Sequence, residues 1–214
     1  MKTTVASHKP GDIVKIAGTE FVVLEVQKNA AMDGADKLFV LVKETVGSTV
    51  FSSDGNDYTE SKLREKVDQW FDEFSADLNK ELVFSREISL LTMDGRANYG
   101  IMHRLAAPLT FDEWRKYSRY IPDCEKSYWL ATGDSAPGRY GATYALCVYS
   151  DGSWNSYDCS GSYAVRPALV VSSLLLDNEG NDLNRYTTEQ LLEEIRNRIE
   201  EESCNDTEAG ESIG

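Results

Sequence analysis

Four cysteines and two histidines are the side chains of this chain best suited to nucleophilic chemistry or soft-metal binding. Cys124, Cys147, Cys159 and Cys204 include no C-x-x-C pair, and His8 and His103 lie far apart. A structural zinc site needs four such ligands at close spacing, so none is expected. Both histidines are remote from the hydroxyl-rich region near residue 155, so no Ser-His-Asp set is expected. The 36 Asp and Glu residues show no recognisable pairing and read as a solvated face. Asp134, Asp151 and Asp158 lack the spacing of calcium ligands. The residues therefore point to no catalytic group, no metal and no cofactor. Cys147 and Cys159 can meet across a hairpin as a disulfide, but free thiols are the expectation in a reducing cytosol.

The chemistry that remains is recognition. Residues 155–163, NSYDCSGSY, are almost entirely small, polar or aromatic. Tyrosine offers rigid amphipathic area at low entropic cost, and Asn, Asp and Ser offer adaptable hydrogen bonds, as in antibody paratopes. The candidate ligand-binding residues are Tyr140, Ser153, Asn155, Tyr157, Asp158, Ser160, Ser162 and Tyr163, with the loop at 134–140 joining the surface. Trp129, Trp154 and Arg166 are read as structural. A buried arginine beside Pro167 needs an acceptor, and pinning a loop to backbone carbonyls or a carboxylate fits it better than touching a ligand. The alternative for the whole stretch is a solvated loop with no ligand.

These residues need a frame, and residues 128–171 supply one: strand, loop, hairpin, polar loop and buried closing strand. Residues 144–149 are apolar and β-prone. Asp151-Gly152 predicts a type I′ turn, whose two central residues both need φ > 0. Ser153 and Trp154 begin the return strand, and 155–163 follows as loop. Pro167 cannot donate to a ladder, so it belongs at a strand start, an edge or a bulge.

Upstream, residues 12–16, 20–26 and 37–43 read as strands, the third covered on both faces because its apolar run is continuous. Leu63, Val67, Trp70, Phe71 and Phe74 form one stripe of a helix over about 59–74, capped by Thr59 or Ser61. Residues 88–91 read as a short strand and 93–96 as a turn. Thr110 with Glu113 is a capping box that starts a helix running to about Arg119, with Phe111, Trp114 and Tyr117 buried. Leu191, Leu192, Ile195 and Ile199 make a narrow stripe on a last helix that can dock on the domain or on a second copy. From Glu200 onward there is no Lys or Arg, and an acidic disordered tail is expected.

The net charge is −14 over 214 residues. That argues against nucleic acid and anionic membranes as partners, since both need a basic footprint. No run approaches ~18 apolar residues, so no membrane insertion is expected. The first residues carry no apolar h-region, so no signal peptide is expected. The chain is expected to be cytoplasmic when made, with virion association as a later location.

Several segments together resemble a bacterial and phage family of unknown function with a C-type-lectin-like fold. They are Ser61-Lys62-Leu63-Arg64; Leu109 to Tyr117, LTFDEWRKY; Tyr128 to Thr132, YWLAT; Val148 to Ser153, VYSDGS; and Ala164 to Leu169, AVRPAL. The likeness covers roughly residues 10–172, with Gly133 standing where a proline is common and Ala164 where a glycine is common. It implies an α+β, C-type-lectin-like fold with mixed and antiparallel sheets and two flanking helices, to which the stripe from Leu191 to Ile199 adds a C-terminal helix. The implied division is 1–176 lectin-like domain, 177–202 helical appendage and 203–214 acidic tail. The fold is similar to that of the variable proteins of diversity-generating retroelements, whose mutable residues lie on the last hairpin and the loop before the closing strand. The resemblance therefore implies display of a site for a protein or carbohydrate ligand on a cell surface. Formylglycine-generating enzymes share the fold, but their chemistry needs a close reactive cysteine pair. A structural or assembly protein of a virion, oligomeric through the last helix, is the other reading.

Overall fold

The computed structural model describes residues 8–31, 34–139 and 141–177, together with Thr187, Leu192 and Arg196. The acidic tail, and the expected C-terminal helix apart from Leu192 and Arg196, therefore lie outside the described residues. The strands and helices, in chain order, begin with β1 (Ile13–Ile16), β2 (Thr19–Gln27), β3 (Lys37–Val42), β4 (Ser48–Val50) and α1 (Lys62–Phe74). There follow β5 (Val83–Phe84), β6 (Arg86–Ser89), β7 (Ile101–Arg104), β8 (Ala106–Pro108) and α2 (Phe111–Tyr117). The last run holds β9 (Tyr128–Gly133), β10 (Tyr144–Val148), β11 (Trp154–Asp158), β12 (Ser162–Ala164) and β13 (Pro167–Ser172). The architecture is α+β, with two helices and mostly antiparallel open sheets among the described residues.

One sheet runs β1-β2-β3-β13-β5, with β8 also pairing β13. A second runs β11-β10-β9-β12-β4, and β6-β7 form a ribbon. All pairings are antiparallel except the short parallel contact of β12 with β9. The central strands of both large sheets are buried on two faces, because alternate side chains feed two different cores. Phe21, Val23, Leu38 and Val40 join Leu63, Val67 and Phe71 of α1 in one core, with Trp129, Ala145 and Cys147 from the second sheet. Val22, Leu24 and Leu41 join Phe111 and Tyr117 of α2 in the other, with Tyr128, Leu130, Leu146 and Val148. Each helix thus covers one side of the same two sheets.

The local signals that built the helices act as chemistry requires. Ser61 caps α1 by accepting from the Arg64 amide at 3.0 Å, while Asp57 caps a separate 3-10 turn at Tyr58–Glu60. The expected single helix from residue 59 is thus broken at Ser61, whose extended backbone cannot continue it. At α2 the capping box is present: Thr110 Oγ1 accepts from the Glu113 amide, and the Glu113 carboxylate accepts from the Thr110 amide at 2.8 Å. The other oxygen of Glu113 accepts from Arg86 Nη1 at 2.5 Å, so the cap also anchors α2 to β6. The strand expected at 88–91 sits two residues earlier, at Arg86–Ser89, because β7 pairs that register.

A second anchor of α2 is sensitive to acid. The Glu25 carboxylate on β2 accepts from Lys116 Nζ at 2.7 Å and from the Tyr117 hydroxyl. Those donors, Lys116 first and then Tyr117, hold its carboxyl down at about 2. A depressed carboxyl stabilises the fold above its unfolded pKa of ~4.3 and loses that contribution as pH falls towards the folded value. The pair is partly exposed, so about 1 kcal/mol at most survives screening. Glu25→Gln should therefore cost about that much at pH 7 and nothing near pH 2. Equal thermal melts of the variant and the parent at pH 7 would contradict this.

The two-residue turn of type I′ occurs at Ala17-Gly18, where both residues have positive φ, 47° and 76°. Their amides donate to the Asp177 carboxylate at 2.9 and 2.8 Å. Asp177 also donates its own amide to Lys15 O at 2.7 Å, so the chain after β13 is stitched to the first hairpin.

The hairpin at Asp151-Gly152 is different from the expectation. Among the described non-glycine residues only Ala17 and Asn29 have positive φ, so Asp151 does not, and the turn is not type I′. Gly152 at φ 78° follows a tight turn in which its amide donates to Tyr149 O at 3.0 Å. Tyr149 donates to Ser153 O at 2.7 Å, closing a three-residue loop with a glycine bulge. The Asp151 carboxylate favours this form by accepting from both the amide and the hydroxyl of Ser153.

Candidate functional site

Residues 155–163 are not a loop. Trp154 to Asp158 pair with β10 as an edge strand, and Ser162 to Ala164 pair with β4 and β9. Only residues 159–161 link the two. The composition resembles a loop because β11 has one neighbour and both its faces meet solvent in part, so it needs no apolar run.

Strand alternation then sorts the candidate residues. Asn155 lies opposite Cys147 and Tyr157 opposite Ala145, so both project to the face above Trp129. On β12, Tyr163 projects to the same face and meets Trp129 edge-on, with centroids 4.8 Å apart. Tyr157 meets Tyr163 edge-on at 5.1 Å and remains 45% exposed. Asn155 Nδ2 donates to the Tyr149 hydroxyl at 3.0 Å. Burial pushes the Tyr163 phenol up to about 12, and the neighbouring Cys147, Tyr149 and Tyr157 add to the push. Tyr163 therefore stays neutral and can both donate and accept. The result is an uncharged patch of three tyrosines and an asparagine, floored by a tryptophan that is fully buried.

The floor is fixed. Trp129 Nε1 donates to Thr49 O at 3.1 Å, and its ring meets Phe51 edge-on at 5.6 Å. Gly161 fits the patch closely: a β-carbon there would lie 2.8 Å from two ring carbons of Tyr157. Any side chain at 161 would push the Tyr157 ring away.

The other candidate residues are placed elsewhere. Asp158 accepts from the amide and hydroxyl of Ser160, at 2.9 and 2.6 Å, which fixes the 159–161 turn. Ser153 is engaged by Asp151 in the same way. Ser162 alternates with Tyr163 and so projects to the opposite face, as Ala164 does. Tyr140 lies outside the described residues. Residues 134, 135 and 139 line a separate open depression of about 580 Å³ with Met93 and Asp94, and none of the four patch residues borders it. Trp154 is 40% exposed and rests against Phe111 of α2 at 4.6 Å, on the face away from the patch. Tyr149 is a fourth member that the composition of 155–163 does not signal; its position just before the turn carries it towards Asn155.

Two buried polar groups hold the frame. Arg166 is 1% exposed. It donates to Val42 O at 3.0 Å, Lys43 O at 2.7 Å and Pro122 O at 3.2 Å, and it sits over the Tyr128 ring at 5.0 Å. It thus ties the end of β3 and the chain after α2 to the entry of β13, with carbonyls and not a carboxylate as acceptors. Asn56 is 1% exposed. Its Nδ2 donates to Ser135 O at 3.0 Å, Gly141 O at 3.3 Å and Tyr144 O at 2.8 Å, and its Oδ1 accepts from the Tyr99 hydroxyl at 2.5 Å. Gly133 is part of this arrangement, since a β-carbon there would lie 2.7 Å from Asn56 Nδ2.

The thiols carry no visible chemistry. Cys124, Cys147 and Cys159 are free and buried. Cys159 donates its amide to Thr143 O, while Cys147 pairs with Asn155. That places the two about four residues apart along β10, about 13 Å at ~3.3 Å per residue, too far for a disulfide. Burial pushes the thiols of Cys147 and Cys159 up to about 11 and about 12. Among the described residues no group of three or more His, Cys, Asp or Glu side chains could hold a metal ion. No described helix is long and apolar enough to cross a membrane. No family model, curated protein or solved structure matches the chain.

Proposed function

We propose that this protein is a ligand-display module with a C-type-lectin-like scaffold, and that the patch of Tyr149, Asn155, Tyr157 and Tyr163 is its binding surface. The observation that carries the reading is the stack itself. An exposed Tyr157 leans on Tyr163, which leans on buried Trp129, so aromatic area is presented to solvent on a rigid base. Rigid aromatic anchors beside adaptable amides are what protein and glycan recognition use. The patch has no charged member, which suits a neutral sugar face or a protein surface better than an ionic ligand. The high thiol pKa values and the wide spacing of Cys147 and Cys159 support a binding protein over an enzyme of the formylglycine-generating type.

If the module is diversified as retroelement variable proteins are, the same geometry narrows the variable set. Asn155, Tyr157 and Tyr163 can change without cost to the turns, whereas Asp158 and Ser160 fix one. Sequencing the flanking DNA tests this: a nearby reverse transcriptase and a near-copy differing at adenines would support it, and absence of both would refute it.

The patch itself is tested by truncation. Tyr157→Ala should weaken any bound oligosaccharide or protein at least about tenfold, since an exposed aromatic anchor is worth ~1.5 kcal/mol or more. It should leave the melting temperature nearly unchanged. Gly161→Ala, which displaces the same ring without deleting it, should weaken the same ligand. Unaltered affinity in both variants would sink the assignment.

A further inference from the structure

The ribbon of β6 and β7 carries main-chain groups that no described residue uses. Leu90 donates its amide to Gly100 O at 3.0 Å, and that bond sets the phase of the ladder. Met102 and Arg104 then stand opposite Ile88 and Arg86 in the hydrogen-bonded positions. Ile101 and His103 turn their N–H and C=O groups to the outer edge of β7. Among the described residues no backbone or side-chain group bonds any of these four. Two other edges of the fold are closed. The outward carbonyl of Lys15 on β1 accepts from the Asp177 amide at 2.7 Å, and the outward amide of Ser156 on β11 donates to Asn155 Oδ1 at 2.9 Å. Natural sheets cover or blunt their edges, because an open one is a template for another strand.

The β7 edge also has apolar surface beside it. Ile101 is 59% exposed, more than any other large apolar side chain among the described residues. Leu91 continues the outer side beyond β6, alternating with buried Leu90 and Thr92. The outward groups of β6 instead belong to Glu87 and Ser89, which offer no apolar contact. Next to His103 and Arg104 lies an open groove of about 430 Å³ whose apolar lining is Phe71, Leu105 and Ala106. Its charges balance, Asp68 in an ion pair with Arg104 and Asp72 against Lys80, so it suits an uncharged side chain.

We infer that β7 takes up an extended segment of another protein as an added strand. Main-chain pairing at Ile101 and His103 supplies affinity, and alternate side chains supply specificity. A β-branched residue on the outer side of that segment packs on Ile101 and Leu91. An uncharged one on the other side enters the groove. Basic residues flank the segment, because a net charge of −14 draws cations in and repels a second copy of this chain. Pairing of β7 with itself would also rest on 4 residues a side, against about 20–30 in a standard interface. The edge does not depend on the tyrosine patch being a binding surface.

The probe is the peptide Lys-Lys-Val-Thr-Val-Thr-Val-Lys-Lys, acetylated and amidated. A copy N-methylated throughout its Val-Thr run is the control of equal charge. The full chain is titrated with each at fixed salt, and amide hydrogen exchange is followed residue by residue. The parent should bind the first peptide saturably and the methylated copy at least about tenfold more weakly. The amides of Ile101 and His103 should exchange more slowly in the complex. Ile101→Pro deletes one outward N–H at the first residue of β7, where proline is tolerated. It should weaken the peptide about fivefold or more. Should that variant melt lower, the exchange of the parent decides. Tyr157→Ala should bind the peptide as the parent does. No saturable binding, equal binding of the methylated copy, unchanged exchange at Ile101 and His103, or a loss confined to Tyr157→Ala would overturn the inference. Slower exchange of both amides with rising protein concentration and no peptide would mean that a second copy takes the edge, and would overturn it too.

Discussion

Arg166→Ala should lower stability by about 3–5 kcal/mol. The guanidinium feeds three carbonyls from two separate chain segments, all in a nearly dry site. Truncation strands those acceptors and leaves a cavity beside Tyr128. In a domain of this size about 2–4 °C accompanies each kcal/mol, so the melting temperature should fall by roughly 6–20 °C. Arg166→Lys should recover little, because an ammonium on a flexible stem cannot reach Val42, Lys43 and Pro122 together. Urea unfolding of both variants at pH 7 measures this. A loss under about 1 kcal/mol for the alanine variant would show that the arginine is not what joins β3, β13 and the segment after α2.

Asn56→Ala should cost about 3 kcal/mol and act on a different part of the molecule. One amide nitrogen serves carbonyls of Ser135, Gly141 and Tyr144, so it shapes the chain between β9 and β10. Asn56→Asp separates the hydrogen bonds from the packing. It keeps the volume but turns an oxygen towards those three carbonyls. A carboxyl there would be held protonated, its pKa raised by burial and by the acceptors around it. A raised carboxyl is fully tolerated below its unfolded pKa of ~3.9 and destabilises as pH rises through its folded value. The aspartate variant should therefore be weaker than the alanine variant at pH 7 and gain on it towards pH 4. Parallel pH profiles for the two would contradict the role given to the amide.

These two residues also show where sequence reading reaches and where it stops. The sheet of β1, β2, β3 and β13 was legible, because β-branched runs between turn residues have few other uses. The stripe of α1 and the capping box of α2 were legible because both are local. Pro167 stands first in β13, as its missing N–H demands. Arg166 was legible as a pin, since an arginine next to a buried strand must find acceptors. Asn56 was not, because its partners lie some 80 residues downstream and no local pattern announces them.

The patch was half legible. The composition of 155–163 pointed to recognition, and three of the eight proposed residues, Asn155, Tyr157 and Tyr163, come together. The stretch reads as loop but folds as two short strands. An edge strand with wet faces has the letters of a loop, and only alternation tells which side chains share a face. Asp158 and Ser160 looked like contact groups but fix a turn. Asp-Gly likewise fits a type I′ turn or a glycine bulge, and the Asp151 carboxylate on Ser153 favoured the second.

Tyr157 and Tyr163, braced on Trp129, are proposed as a binding surface. Its most direct test is affinity on one panel of immobilised neutral oligosaccharides and purified bacterial surface proteins, with the parent, Tyr157→Ala and Ser162→Ala side by side. The expected result is a ligand that the parent and Ser162→Ala bind alike, and that Tyr157→Ala binds at least about tenfold more weakly at an unchanged melting temperature. Equal binding by all three, or a loss with Ser162→Ala alone, would place the surface elsewhere and contradict it.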